Sequence, residues 1–406
     1  MKTIIKTAFV FLVLISSCKK VADEQYTVKF YGDAYEDIGY SVSIASDGYV
    51  IAGQFTDIDR TGTSLSSNKN MGIIKTGWDG NAIWKVSAGK KWNDKGSKLL
   101  KNDDGSYICV GTYTDSITVL QTDVFIVKVS ATGDIVWQKN YGGAGNQTGT
   151  DIVKTSDGYL ILGTTDVANM TADSTGNKAG NTDIFLMKIS DSGDLISTSP
   201  QYGYIGNDAG VAIKLTIDGN YLVFGTTDRS EPGQNQDKNN LILLKVNSSG
   251  IALQTKIIGT TADEYAADFE VTPDGYLLAY TIGQDGDAQE IWVKKLKSDL
   301  YAAPFFTKAV SITGAPDNSA KVYSITKYKT DSFILSGIAG KISAAKMLVC
   351  EIDADGAPVS GHQMIKGSTG VQFAYDVTAG DDGYIIAVGK NSYDVNSMIT
   401  FLKFKF

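Results

Sequence analysis

A short unit repeats along this chain: an Asp-Gly turn, then an apolar run, then a Gly. It stands at Asp47-Gly48 (SDGYVIAG), Asp104-Gly105 (DDGSYICVG), Asp157-Gly158 (SDGYLILG), Asp218-Gly219 (IDGNYLVFG), Asp274-Gly275 (PDGYLLAY) and Asp382-Gly383 (DDGYIIAVG). A degenerate copy, TDSFILSG, falls at Asp331-Ser332. Successive copies lie roughly 51 to 61 residues apart, within the range that builds propellers. No other local feature limits the possible folds so strongly.

Each unit predicts four strands. The first precedes the turn, as at 41–44, 150–154 and 211–215, and the second follows it. The third ends in a charged residue: Lys75, Lys128, Lys188, Lys245, Glu351 or Lys403. A second tight turn carries Gly80, Gly133, Gly193, Gly250 and Gly356, and a fourth run leads to another Gly, as in Trp84 to Gly89, Trp137 to Gly142 and Gln254 to Gly259. The second and third runs are almost continuously apolar, which is how a strand reads when both of its faces are covered. The 43 Gly and 6 Pro fit many tight turns and few broken sheets.

The two ends of the chain complement each other. The seventh copy stops at Phe406 after its third strand, while Thr27 to Gly32 (TVKFYG) is an orphan that matches Trp137 to Gly142 (WQKNYG). A ring whose last sheet is completed by the amino-terminal strand accounts for both, and closure removes exposed strand edges. The expected fold is therefore all-β: one seven-bladed β-propeller over 26–406, with four-stranded blades and the last blade closed by the N-terminal strand.

The first residues read as an address. Lys2 and Lys6 precede an apolar run, 7–15, too short to span a bilayer. The sequence Ile15-Ser16-Ser17-Cys18 follows, similar to a bacterial lipobox. This predicts a signal peptide over 1–17, lipidation at Cys18 and a polar tether over 18–25. Lys19, in the next position, resembles signals sorted to the outer membrane. The expected location is the cell envelope, held to the membrane through the lipid anchor only. Cys109 and Cys350 sit inside apolar runs of different repeats and read as buried hydrophobes.

The repeats, with Lys-(x)4-Gly-(x)3-Trp spacings over Lys75 to Trp84 and Lys128 to Trp137, resemble those of secreted bacterial β-propeller-repeat lipoproteins of the quinoprotein-like propeller group. The likeness spans essentially all of 26–406 and carries fold rather than activity. Quinoprotein enzymes have eight blades, a Trp docking most of them and a calcium-bound cofactor. Here seven copies are present, and only Trp84 and Trp137 hold the docking position. No cofactor is expected.

Composition excludes several chemistries. One histidine, His362, rules out multi-His metal sites and lacks an evident nucleophile beside it for a triad. Two arginines, Arg60 and Arg229, cannot form a three-Arg carboxylate clamp. A net charge of −8 with no basic stripe argues against nucleic acid. Asp353-Ala354-Asp355-Gly356 looks like a calcium loop, but its counterparts Asp191-Ser192-Gly193 and Ser248-Ser249-Gly250 mark it as a hairpin turn.

The variable loops, 56–71, 112–123, 164–183 and 226–240, all fall on the face opposite the short turns, and function concentrates on such loops. Recurring polar pairs there, such as Glu36-Asp37 before Gly39 and Asp317-Asn318 before Ala320, are expected to satisfy local backbone. Residues that break the repeat are the candidate ligand-binding set: Tyr35, Trp92, Lys95, Tyr265, Phe373 and Tyr375. Their rings suit stacking on a sugar, anchoring a protein, or packing in the channel. Three functions stay open: a non-catalytic scaffold binding a glycan or envelope protein, an outer-membrane assembly factor, and a carbohydrate-active enzyme using paired channel carboxylates.

Overall fold

A computed structural model describes residues 26–32, 35–58, 67–89, 93–114, 121–143, 145–167, 182–203, 206–229, 238–284, 288–367, 369–393 and 396–406. The signal segment and Cys18 lie outside them. The described strands form seven four-stranded antiparallel sheets. Blade 1 comprises Ile38–Ile44, Tyr49–Ile58, Ser67–Thr76 and Ala82–Ala88 in chain order from the channel outward. Blades 2 to 6 follow the same plan. First strands start three residues earlier than the repeats suggest, at Ile38, Gln147 and Asp208. Blade 1 also extends its second and third strands into the loop region, to Ile58 and from Ser67.

Blade 7 contains Val371–Ala379, Ile385–Tyr393 and Asn396–Phe404, and its outermost strand is Thr27–Tyr31. Lys29 pairs with Phe401 and Tyr31 with Ile399 in that ladder. The equivalence extends to side chains. Tyr31 donates its hydroxyl to the Gly80 carbonyl of blade 1 at 2.6 Å, as Tyr141 does to Gly193 and Tyr202 to Gly250. The amino-terminal strand thus makes the contact that other fourth strands make with the next blade.

Stacking explains the apolar runs. Separate hydrophobic clusters fill the junctions between neighbouring blades, such as Val50, Ile73, Cys109 and Val127 between blades 1 and 2. Ile51, Ile74, Val388 and Phe401 do the same between blades 1 and 7. Cys109 and Cys350 are free and buried, as their runs imply. Trp84 and Trp137 lie against Gly133 and Gly193 of the following blade, and each indole N–H donates to a carbonyl there, at 3.3 and 3.2 Å. In four blades a lysine near the end of the third strand pairs with the Asp of the Asp-Gly turn: Lys75 with Asp47, Lys188 with Asp157, Lys245 with Asp218 and Lys295 with Asp274. Blade 6 substitutes Glu351, which holds His362 at 2.6 Å.

The recurring Gly within the second strand answers to a bulge. Every first strand slips register near its start, between Gly39 and Ser41 in blade 1 and between Gly96 and Lys98 in blade 2, and that of blade 6 slips again between Lys327 and Lys329. The displaced carbonyl leans onto the facing residue, so a Cβ at Gly53 would lie 1.9 Å from the Ile38 oxygen, and one at Gly111 equally close to that of Lys95. Only glycine fits.

Candidate functional site

The bulges shape the channel. The skipped residue and the one after it line a cavity of about 200 Å³ on the axis, except in blade 1, where Ser41 is fully buried and only Tyr40 reaches it. Its floor carries the second residue of the other bulges: Lys98, Asp151, Ala212, Asp268, Ser324 and Asp376. Higher on the wall, the skipped residues of blades 6, 7 and 1 are Tyr323, Tyr375 and Tyr40. Ring centroids of Tyr40 and Tyr323 each lie 5.1 Å from that of Tyr375, making one aromatic arc over three consecutive blades. Lys95 and Lys98 of blade 2 line the cavity as well.

The floor carboxylates are bound into the scaffold. A bulge frees a main-chain N–H one residue on, and a buried donor of this kind needs a partner. Asp376 accepts Val42 N–H of blade 1 at 2.9 Å, Asp151 accepts Ile213 N–H of blade 4 at 2.8 Å, and Asp268 accepts Ile325 N–H of blade 6 at 3.3 Å. Ser41 Oγ accepts Leu99 N–H at 3.2 Å. Blades 2 and 4 contribute Lys98 and Ala212, which cannot accept. There the following blade caps itself: Asp151 and Asp268 each take the adjacent N–H, Ile152 and Phe269, at 2.7 Å. One carboxylate therefore bridges two blades, and its role follows from its predecessor's side chain.

Charge on the floor is largely balanced. Lys98 lies 3.4 Å from Asp376, and Lys214 3.2 Å from Asp268 and 3.0 Å from Glu270. Burial works against the Lys98 ammonium, but the carboxylates of Asp376, Asp151 and Asp268 outweigh it and hold its pKa above the ordinary value. Burial pushes the Asp151 carboxyl up to about 6, against the pull of Lys98. Burial also raises Glu270.

A pH dependence follows from Asp151. Its folded pKa lies above its unfolded 3.8, so the folded state binds more protons between those values, and stability from this group falls as pH rises from 4 to 6. The shift corresponds to about 3 kcal/mol. Between pH 4 and 7 the unfolding free energy of the wild type should drop relative to Asp151→Asn by about that amount, measured by denaturant titration. A difference independent of pH contradicts the assignment.

The structure gathers some of the candidate residues. Tyr375 and Lys95 line the cavity, Tyr375 half-buried and Lys95 exposed. Tyr265 stands at the rim, where its hydroxyl accepts from Asn239 at 3.1 Å and the Lys321 ammonium lies 5.8 Å from its ring centroid. Phe373 is 4% exposed. It stacks behind Tyr375 at 5.3 Å and packs on Ile338 and Ala345, so it supports the arc from the core. Tyr35 lies in the connection before blade 1, where its carbonyl accepts Ser397 N–H, and it is not part of the cavity lining. Trp92 falls outside the described residues.

Sequence reasoning missed Tyr40, Tyr323 and Lys98. Tyr40 follows Gly39 and Lys98 lies two residues past Gly96, while Tyr323 follows Val322, which carries no small-residue signal. Copy six was also misaligned. Asp317 and Asn318 adopt left-handed backbone, φ 56° and 50°, in a 3-10 turn, and the bulge follows Val322 rather than Ala320. In blades 1 and 2 the aspartate of the pair serves main chain, Asp37 accepting Thr56 N–H at 2.7 Å and Asp94 accepting Thr114 N–H at 2.8 Å, while Glu36 pairs with Lys69. Asp353 likewise accepts the N–H groups of Asp355 and Ala357 within its own turn.

No protein-family model matches the chain, and no curated protein does. Solved structures do. An ulvan lyase, described as a polysaccharide lyase of a new family, is 8% identical, with 92% of this chain and 95% of that one covered and a TM-score of 0.55. The α-L-arabinofuranosidase of Fusarium graminearum, solved with arabinobiose, is 11% identical over 80% and 98%, with a TM-score of 0.51. The periplasmic gluconolactonase of Pseudomonas aeruginosa is 10% identical over 82% and 87%, with a TM-score of 0.50. At such identities the likeness is one of fold. This chain is a seven-bladed β-propeller, and its structural neighbours include several carbohydrate-active enzymes.

Proposed function

We propose that this chain is a lipid-anchored envelope protein that binds a glycan at the channel mouth without cleaving it. The carrying observation is the arc of Tyr40, Tyr375 and Tyr323 above a floor whose three aspartates are each committed to main-chain or side-chain partners. Half-buried rings beside polar groups suit the apolar face and hydroxyl edge of a sugar. Lys95 and Tyr265 extend the contact surface at the rim. The soluble form from Asp23 should bind members of a glycan array, and Tyr375→Ala or Tyr40→Ala should weaken that binding at least about 10-fold, or about 1.4 kcal/mol. No sugar bound, together with an envelope protein recovered in pull-downs, would replace the glycan with a protein partner.

A second reading, hydrolysis or elimination by paired floor carboxylates, is favoured by the raised Asp151 and by the enzymes among the structural neighbours. It requires Asp151 or Asp268 to leave its main-chain partners during turnover. Product formation from an array-positive glycan, abolished by Asp268→Asn in a protein that still folds, would establish it.

A further inference from the structure

The outer rim of the disc carries a feature that sugar binding does not use. Fourth strands are the outermost, and they begin at the short-turn face. At this beginning the corresponding residues of six blades are exposed and apolar: Tyr26 (46%), Ile83 (58%), Val136 (56%), Ile196 (49%), Leu253 (52%) and Phe305 (49%). Ile217, at 71%, adds to the band from the adjoining turn of blade 4. On the loop connections, by contrast, the exposed large apolar side chain among the described residues is Ile342. A band of this extent on one side of a protein marks a contact surface.

The chain itself identifies what covers it. Thr27–Tyr31 runs as a fourth strand, so its first residues lie at the short-turn face, within the apolar band. Seven residues lie between Cys18 and Tyr26, which are thus at most roughly 30 Å apart when fully extended. An acylated Cys18 therefore joins the disc to the bilayer through the end of the chain that lies within this apolar band.

We infer that the rim at the short-turn face rests on the lipid bilayer, so that the channel mouth points away from the membrane toward ligand. This rests on the lipid-anchor reading of Cys18. Cys109 and Cys350 are buried, so a thiol dye reports an added cysteine selectively. The full chain carrying Ser298→Cys on the short-turn face, or Ser343→Cys on the loop face, would be reconstituted in phosphatidylethanolamine vesicles containing nitroxide-labelled phosphatidylcholine. Intact mass reports acylation of Cys18. On acylated protein, quenching at position 298 should exceed that at 343 at least threefold, and Ile83→Glu with Val136→Glu should reduce it while acylation persists. Equal or reversed quenching on acylated protein overturns the orientation and leaves the anchor standing. An unmodified Cys18 overturns both.

Discussion

A chain starting at residue 33 will not form a stable monomeric ring. Removing residues 26–32 strips the five-residue pairing from Asn396–Phe404 and exposes that strand as an unpaired edge. It also deletes the Tyr31 hydrogen bond that fastens blade 7 to blade 1. At about 1 kcal/mol net per hydrogen bond, plus the packing of Tyr31 against Phe401, the loss is on the order of a typical domain's whole stability. The thermal transition should broaden or vanish, and aggregation through the freed edge should follow. A synthetic peptide of residues 26–32 added in excess should restore part of the transition by mass action. An unchanged melting temperature in the shortened chain would mean that the ring closes some other way.

The second large effect concerns Asp376. Its carboxylate accepts Val42 N–H of blade 1, accepts the Ser324 hydroxyl of blade 6 at 2.9 Å, and faces Lys98 of blade 2. Three blades other than its own meet on one side chain. Asp376→Ala leaves the Val42 N–H without its acceptor and the Lys98 ammonium with less compensation, a change that costs about 3–5 kcal/mol at buried sites. Adding Lys98→Met should return at least about 1 kcal/mol, because the stranded charge is then gone. If the double variant is as unstable as the sum of the singles, Lys98 and Asp376 do not act as a pair. Both measurements are chemical denaturation of the soluble form.

The fold was legible because blades are local. Each Asp-Gly turn, apolar pair of runs and third-strand Lys lies within one unit, and the Lys-to-Asp pairing at Lys75 and Lys245 is the physical reason the two residues recur together. Closure was legible because TVKFYG and WQKNYG share a Lys and a Tyr that reach the next blade's turn in both places. The channel was harder to read. Its lining is set by which residue a bulge turns inward, and that depends on the register between two strands. Register could be inferred from Gly39, Gly96 and Gly149 but not from Val322. Phe373 shows the same limit. Two residues from Tyr375 in sequence, it faces the core, and nothing in the local pattern distinguishes it.

Diffraction from crystals of the soluble chain soaked with an array-positive oligosaccharide would test the functional reading most directly. The account predicts an intact sugar lying against Tyr40, Tyr323 and Tyr375, with Asp151, Asp268 and Asp376 still holding Ile213, Ile325 and Val42. A cleaved sugar seated between Asp151 and Asp268, with those main-chain bonds broken, would contradict it.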